Sequence, residues 1–171
     1  MNLKNINTNR LILIPITLEI TKSLINKSSK EIEKLGVECD KEWPTEDTMD
    51  ILPIINNSLE KSKKPTGFET WMIVDKNSKK IIGDIGFHGI PNEKGEVEIG
   101  FGLVKHERGK GFGFESLKAI MNWLNFQENV KVIKAECLIT NKPSARILEK
   151  AELKEVNRDN ELIYWEFVKT V

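Results

Sequence analysis

The residues best suited to chemistry lie between Glu96 and Gly113, in the stretch EVEIGFGLVKHERGKGFG, which runs on into FESLKAIMNW. Val97, Ile99, Phe101 and Leu103 alternate with Glu96, Glu98, Gly100 and Gly102. That period of two predicts a strand with one apolar face and one face of carboxylates and glycines. Glycine inside a strand often marks a bulge or a place where a ligand meets the backbone. The stretch ends in a basic, glycine-rich turn, Arg108-Gly109-Lys110-Gly111-Phe112-Gly113. A helix is predicted from Phe112 to Phe126, with Phe114, Leu117, Ile120, Met121 and Leu124 on one apolar stripe. A strand that delivers glycines to the first turn of a helix can hold an anion. The amides of that turn have no partner inside the helix, and the helix dipole favours negative charge there.

Three phosphate-binding patterns compete for the turn. A P-loop needs four residues between its first glycine and a Gly-Lys pair, then Ser or Thr. Here six residues separate Gly102 from Gly109, and Gly111 follows Lys110. A dinucleotide fingerprint needs glycines at GxGxxG. Gly109 and Gly111 are followed by Phe114, and Gly111 and Gly113 by Ser116, so that pattern fails as well. The third pattern, Arg/Gln-x-x-Gly-x-Gly/Ala, is met at every fixed position by Arg108 to Gly113.

This turn resembles the acetyl-CoA pyrophosphate loop of the GNAT N-acetyltransferases, and more closely the RimJ/RimL-like, ribosomal-protein N-terminal acetyltransferase branch. Glu98-Ile99-Gly100-Phe101, Arg108 to Gly113 and Glu115-Ser116-Leu117 follow that branch's order. A second block, Asn141-Lys142-Pro143-Ser144-Ala145-Arg146-Ile147-Leu148-Glu149-Lys150, is similar to its N-x-x-S-x-R-x-L-E-K. Ala151 and Leu153 depart from the Gly and Phe that are usual next, at a helix end and its packing. The resemblance spans nearly the whole chain, from Thr8-Asn9-Arg10-Leu11 to the last strand.

The resemblance implies an α/β (α+β) GNAT fold. Its sheet is mixed, mostly antiparallel and twisted, has about seven strands flanked by helices, and splays between the central fourth and fifth strands. It implies an acetyl-CoA-dependent N-acetyltransferase, with acetyl-CoA as cosubstrate. In that frame the backbone near Leu103 and Val104 pairs with the pantetheine arm. The amides of Gly109 to Gly113, Phe112 among them, hold the pyrophosphate, Arg108 and Lys110 add positive charge, and Asn141 bonds the arm. Acyl transfer to an amine needs a neutral amine, donors for the oxyanion, and a proton or dipole for the leaving thiolate. Glu98 is the first candidate for taking the amine's proton, directly or through water, and Glu96 is a weaker one. Ser144 is assigned to thiolate protonation. Each has a plainer reading. Glu98 could be an exposed strand carboxylate, Ser144 a hydroxyl bonded to helix backbone, Asn141 a helix cap and Lys110 a solvated surface lysine.

The elements that must position these groups follow from the rest of the chain. Arg10 to Ile16 is a strand that Pro15 places at an edge or near its end. Thr17 caps a helix through Ile20, Leu24 and Ile25. Ser28 to Leu35 adds a short helix stopped by Gly36. Val37 to Pro44 is a loop in which Trp43 either packs over the core or lines an acceptor cleft. Thr45 caps a helix to Lys63, which Pro53 should kink or split. Strands are expected at Phe68 to Asp75, Lys80 to Ile90 and Glu96 to Leu103, forming an antiparallel meander. Gly83, Gly86 and Gly89 permit close contacts there. Another strand follows at Lys131 to Thr140, its core face open between Val132 with Lys134 and Ile133 with Ala135. A helix from Asn141 to Lys150 has Pro143 in its first turn. Strands Leu153 to Asn157 and Leu162 to Val168 flank an Arg158-Asp159-Asn160 turn.

The chain has 171 residues, 39% hydrophobic, enough for one domain with a sizeable core at about residues 8–169. Formal net charge is zero, and the 30% of charged residues mix both signs, so no broad electrostatic footprint favours nucleic acid or membrane. Two cysteines, Cys39 and Cys137, form no disulfide framework, which points to a reducing cytoplasmic setting. His88 and His106 look isolated, so no metal site is expected. His106 is read as an exposed loop residue, and Tyr164 as a poor general acid. The acceptor stays open between a protein N-terminus, suggested by the branch, and a small amine such as a polyamine, amino sugar or drug. The acidic run Glu38, Asp40, Glu42, Glu46, Asp47 and Asp50 would suit a polyamine or a solvated helix start. A non-catalytic acyl-CoA-binding module is the rival from another class. The resemblance carries with it the family's common homodimer through the last strands.

Overall fold

The computed structural model describes residues 3–170. Among these residues nine strands and five α-helices follow one another. β1 (Ile6–Asn7) and β2 (Leu11–Pro15) precede α1 (Leu18–Ile25) and α2 (Lys30–Glu33). β3 (Glu38–Cys39) leads to α3 (Glu46–Ser62). The meander β4 (Thr70–Asp75), β5 (Lys80–Phe87) and β6 (Glu96–Leu103) is followed by α4 (Phe112–Asn125). β7 (Val132–Leu138), α5 (Lys142–Lys150), β8 (Lys154–Arg158) and β9 (Leu162–Val168) complete the order. The strands lie side by side as β1-β2-β4-β5-β6-β7-β9-β8, with β3 beside β5. Only the β3–β5 and β6–β7 pairs are parallel. This is the mixed, mostly antiparallel GNAT arrangement expected from the resemblance. The seven strands read from sequence are all present, joined by the two-residue β1 and β3.

Both faces of the sheet centre are covered, which explains why β4 is an unbroken apolar run rather than an alternating one. α3 lies on one face, where Thr48 reaches Asp84 of β5. α4 lies on the other, where its Gly113 backbone approaches Leu103 and Phe101. Under the C-terminal half of α4, Trp123 packs edge-on against Phe68 and Trp71. Thr17, Thr45 and Asn141 accept hydrogen bonds from the amides of Ile20, Thr48 and Ser144, so each cap named from sequence starts its helix.

Several expectations are corrected. Pro53 does not split α3, which runs unbroken from Glu46 to Ser62. Its ring is on the exposed face, so the carbonyl it cannot bond is free to turn to water. Pro15 ends β2, as one of its two readings has it, and β1 pairs with this strand only at Ile12 and Leu13. The strand from Lys80 stops at Phe87, since the chain turns at His88–Ile90 and Gly89 has a φ of +101°. The loop before Pro44 contains β3. In β7, Ile133, Ala135 and Cys137 face the core, which settles the open register. Gly83 and Gly86 are close-contact glycines: a Cβ would fall 2.2 Å from the Gly102 carbonyl oxygen and 2.5 Å from that of Glu69.

Candidate active site

β6 and β7 share three rungs, Glu96 with Val132, Val97 with Ile133 and Glu98 with Lys134. β6 then stays with β5 as far as Leu103, and β7 stays with β9 as far as Leu138. The two parallel strands therefore part into a V that opens at their carboxyl ends. Open α/β sheets bind ligands at that end of the strands. The Arg108–Gly113 turn leaves the sheet from one arm of the V, and Asn141 and α5 leave from the other.

The backbone along the β6 arm has a defined polarity. The Val104 amide donates to the Ile82 carbonyl at 2.8 Å. By the alternation of an antiparallel ladder, Leu103 and Phe101 turn their polar groups the other way, into the gap. The Leu103 carbonyl accepts from Arg108 Nε at 3.0 Å, which leaves the Leu103 amide directed at the opening. The Val104 amide is committed to β5.

Gly109 and Gly111 have φ values of +76° and +86°, conformations that L side chains rarely adopt. Gly111 is the N-cap of α4, and no side chain caps that helix. The first bond of its ladder runs from the Glu115 amide to the Gly111 carbonyl, so the amides of Phe112, Gly113 and Phe114 precede it. A Cβ at Gly113 would fall 2.9 Å from Ile147 Cδ1, so this glycine lets α4 and α5 close together. Lys110 pairs with Glu107 at 2.8 Å in this structure.

Arg10, which carried no role in the sequence reading, clamps the turn. Its Nη1 donates to the Lys110 carbonyl at 2.8 Å, its Nε to Glu115 Oε2 at 2.7 Å, and its guanidinium stacks 4.4 Å over the Phe112 ring. Thr8 Oγ1 and the Arg10 amide both donate to Glu115 Oε1. Burial pulls the Glu115 carboxyl upward, but the bonds from Thr8, the Arg10 amide and the Arg10 side chain overcome it and hold it below the usual range. A carboxyl lowered in the fold stabilises at pH above its unfolded range and loses that contribution as pH falls through its folded value. Glu115→Gln is therefore expected to lower the urea midpoint at pH 7 and to weaken acetyl-CoA binding several-fold. The stability gap should close progressively below about pH 4. Equal midpoints at pH 7 would remove the clamp. A cavity of about 760 Å³ opens beside it, lined in part by Arg10, Gly111, Phe114, Lys118 and Lys150.

Glu98 lies at the last rung before the splay, and its Oε1 is 3.1 Å from His88 Nδ1. Glu96 is committed elsewhere, accepting from Asn92 at 2.8 Å and pairing with Lys134 at 3.0 Å. The bond from Asn92, then that from Lys134, holds Glu96 below the usual carboxylate range. Across the gap, Asn141 Oδ1 caps α5 through the Ser144 amide at 3.2 Å. The Ser144 hydroxyl has no protein partner among the described residues. It shares a face of α5 with Ile147, one turn on, which touches the α4 N-terminus. The turn and Glu98 thus lie along the β6 arm of the splay, and Asn141 and Ser144 at the end of the β7 arm.

The opposite face of β6 is open. A Cβ at Gly102 would meet nothing within 4 Å, and one at Gly100 only His88 Nε2 at 3.7 Å. Beside this floor, across the ladder from Gly102, stands Asp84. Trp43, buried at 3% exposure, donates Nε1 to Asp84 Oδ2 at 2.8 Å, and Thr48 donates to the same oxygen at 2.6 Å. Of the two readings of Trp43, the structure supports packing over the core, with the ring N–H holding Asp84. His106 is not isolated. Its Nδ1 faces Glu42 at 2.8 Å and its Nε2 faces Asp40 at 3.0 Å, an arrangement that calls for a doubly protonated ring. The bond to Glu42, ahead of that to Asp40, raises its pKa. Tyr164 donates to Asp159 at 2.7 Å, and that bond raises its pKa, in keeping with a poor acid.

Residues 10–154 match the acetyltransferase (GNAT) domain model. The Bacillus subtilis (strain 168) protein named Uncharacterized N-acetyltransferase YjdG is 34% identical over 163 residues, 95% of this chain and 97% of that protein. The solved ribosomal-protein-S5-alanine acetyltransferase of Vibrio fischeri shares the fold at a TM-score of 0.67 and 17% identity, with 96% of each chain covered. RimL, a ribosomal L7/L12 alpha-N-protein acetyltransferase solved in complex with coenzyme A, does so at 0.66 and 16%, covering 96% of this chain and 98% of that one.

Proposed function

We propose that this chain, which belongs to the GNAT acetyltransferase family and is an acetyl-CoA-dependent N-acetyltransferase, moves the acetyl group to a protein N-terminal amine of the ribosomal-protein type. Attack is direct, within a ternary complex. One observation carries the reading: a three-rung splay with an uncapped glycine turn at its mouth and an open, carboxylate-bearing face behind it. The turn fits the cosubstrate, because its two left-handed glycines and uncapped helix start leave amides free for an anion. When bound there, acetyl-CoA supplies the activated acyl group.

The protein's own groups then have distinct tasks. The amides of Gly109 to Gly113 hold the pyrophosphate, and Arg108 and Lys110 add charge. The Leu103 amide pairs with the extended arm, and Asn141, while capping α5 through Oδ1, offers its Nδ2. Glu98 takes the proton of the attacking amine, directly or through water, and Ser144 returns one to the leaving sulfur. Ser144→Ala is expected to lower kcat by about tenfold or more, up to the roughly 100-fold at the weak end of general acid effects, with acetyl-CoA affinity unchanged. No loss would leave Ser144 a helix residue only.

The deciding experiment is thiol release from acetyl-CoA over a panel of N-terminal peptides, polyamines, amino sugars and simple amines. Peptides are expected to lead. A polyamine in that place would select the second reading, which the Asp84 carboxylate beside the open face of β6 favours. Release with none of them would support a non-catalytic acyl-CoA-binding module. Cys39 and Cys137 are both free, which supports a cytoplasmic setting. A homodimer through β8 and β9 belongs to the same proposal.

A further inference from the structure

The two faces of the splayed strand are unequal. The Phe101 and Leu103 face lies against α4 and α5, beside the anion-holding turn. A second substrate reaching the same gap must come from the other side, over Gly100 and Gly102. Along that floor stand Glu98, at the last rung with His88 beside it, and Asp84, opposite Gly102, with the like charge of Asp47 close enough to act on it. Asp84 is half-buried and held from below, with Trp43 and Thr48 both bonding Oδ2. Its Oδ1 has no partner among the described residues and is not sealed from solvent. A carboxylate fixed by one oxygen, with the other bare beside an open floor, is built to accept a hydrogen bond from something not part of this chain. Burial raises its proton affinity, a cost that an arriving cation offsets.

We propose that Asp84 is a specificity residue of the acceptor groove, whose free oxygen binds a second cationic group of the acceptor. This rests on the reading of the acceptor as an amine. Glu98 and Gly102 are four residues apart on an extended strand, roughly 13 Å. With a hydrogen bond of about 3 Å at each end, the acceptor is therefore an amine whose further ammonium or guanidinium lies roughly 7–10 Å from the nitrogen that is acetylated. A peptide with a basic residue near its N-terminus and a linear diamine both satisfy this. A neutral-tailed amine does not.

The test is equilibrium binding, which needs no turnover. Hexamethylenediamine and hexylamine are titrated by calorimetry into the protein saturated with coenzyme A, for wild type and for Asp84→Asn. Asparagine keeps an oxygen for Trp43 and Thr48 and turns an N–H₂ to the groove. The diamine is expected to bind wild type about tenfold tighter than the monoamine, the scale of one hydrogen bond to a charged group. In Asp84→Asn the preference should fall to within about twofold, and Asp84→Glu should recover part of it. Coenzyme A affinity and melting temperature should stay at wild-type values in the asparagine variant. No preference in wild type, or the same preference in both proteins, overturns the proposal. Thiol release with the same amines and with peptides separates the two claims. An Asp84-dependent preference without thiol release keeps Asp84 as a cation-binding carboxylate but sinks the amine acceptor reading on which its role in specificity rests. Peptide acetylation with no role for Asp84 does the reverse.

Discussion

Gly111→Val is expected to raise the acetyl-CoA dissociation constant by at least about tenfold while leaving the fold intact. At Gly111 the backbone has a φ of +86°, and a Cβ would come 3.1 Å from Arg10 Nη2. The left-handed conformation costs an ordinary L residue roughly 1–2 kcal/mol, and a β-branched one more. The valine therefore pulls the turn out of shape or pushes Arg10 away from the Lys110 carbonyl. Either way the amides at the start of α4 no longer converge on one point. A loss of 1.4 kcal/mol in binding is a factor of ten, so the strain alone reaches that figure. The control is Gly36→Ala, at a φ of +74° beyond α2, where a Cβ meets nothing within 4 Å. It carries similar backbone strain and should lower stability without touching acetyl-CoA affinity. Calorimetry decides: wild-type affinity in the valine variant would mean that the turn does not hold the cosubstrate.

The turn was legible because its geometry depends on residue type. Left-handed positions at a helix start call for glycine, and Gly109 and Gly111 are placed there. The strand and helices were legible for similar reasons, since caps such as Thr17, Thr45 and Asn141 act within three residues of themselves. What could not be read were contacts between distant segments. Arg10 meets Lys110 and Glu115 across 100 and 105 residues. His106 finds Asp40 and Glu42, and Trp43 and Thr48 find Asp84, across turns whose direction no local pattern gives. A weak signal did exist for Asp84. It is the one charged residue within the apolar and glycine run Ile81 to Phe87, and a carboxylate there needs partners. The splay itself left no local trace in the sequence and came only through resemblance. Pro53 does not split α3 because proline's penalty depends on whether the carbonyl one turn back can reach water, which is a property of the helix's exposed face.

Glu98→Gln is expected to lower kcat by roughly 100-fold or more, within the span of general acid–base effects, with acetyl-CoA affinity within twofold of wild type. The amide keeps the size of the side chain and its place beside His88 but cannot take a proton at neutral pH. An amine acceptor is mostly protonated there, so the rate falls with the fraction able to attack. Glu96→Gln is the informative partner. Glu96 is already ionised and occupied by Asn92 and Lys134, which stabilise its charged form and weaken it as a base. That variant should lose at most a few-fold in rate. Because Glu96 and Glu98 lie on one face of one strand, a shared structural cause would slow both alike. A large loss confined to Glu98 is what base chemistry requires. Were Glu98→Gln fully active, the proton would have to leave through water or another group, and Glu98 would be only a carboxylate at the edge of the splay.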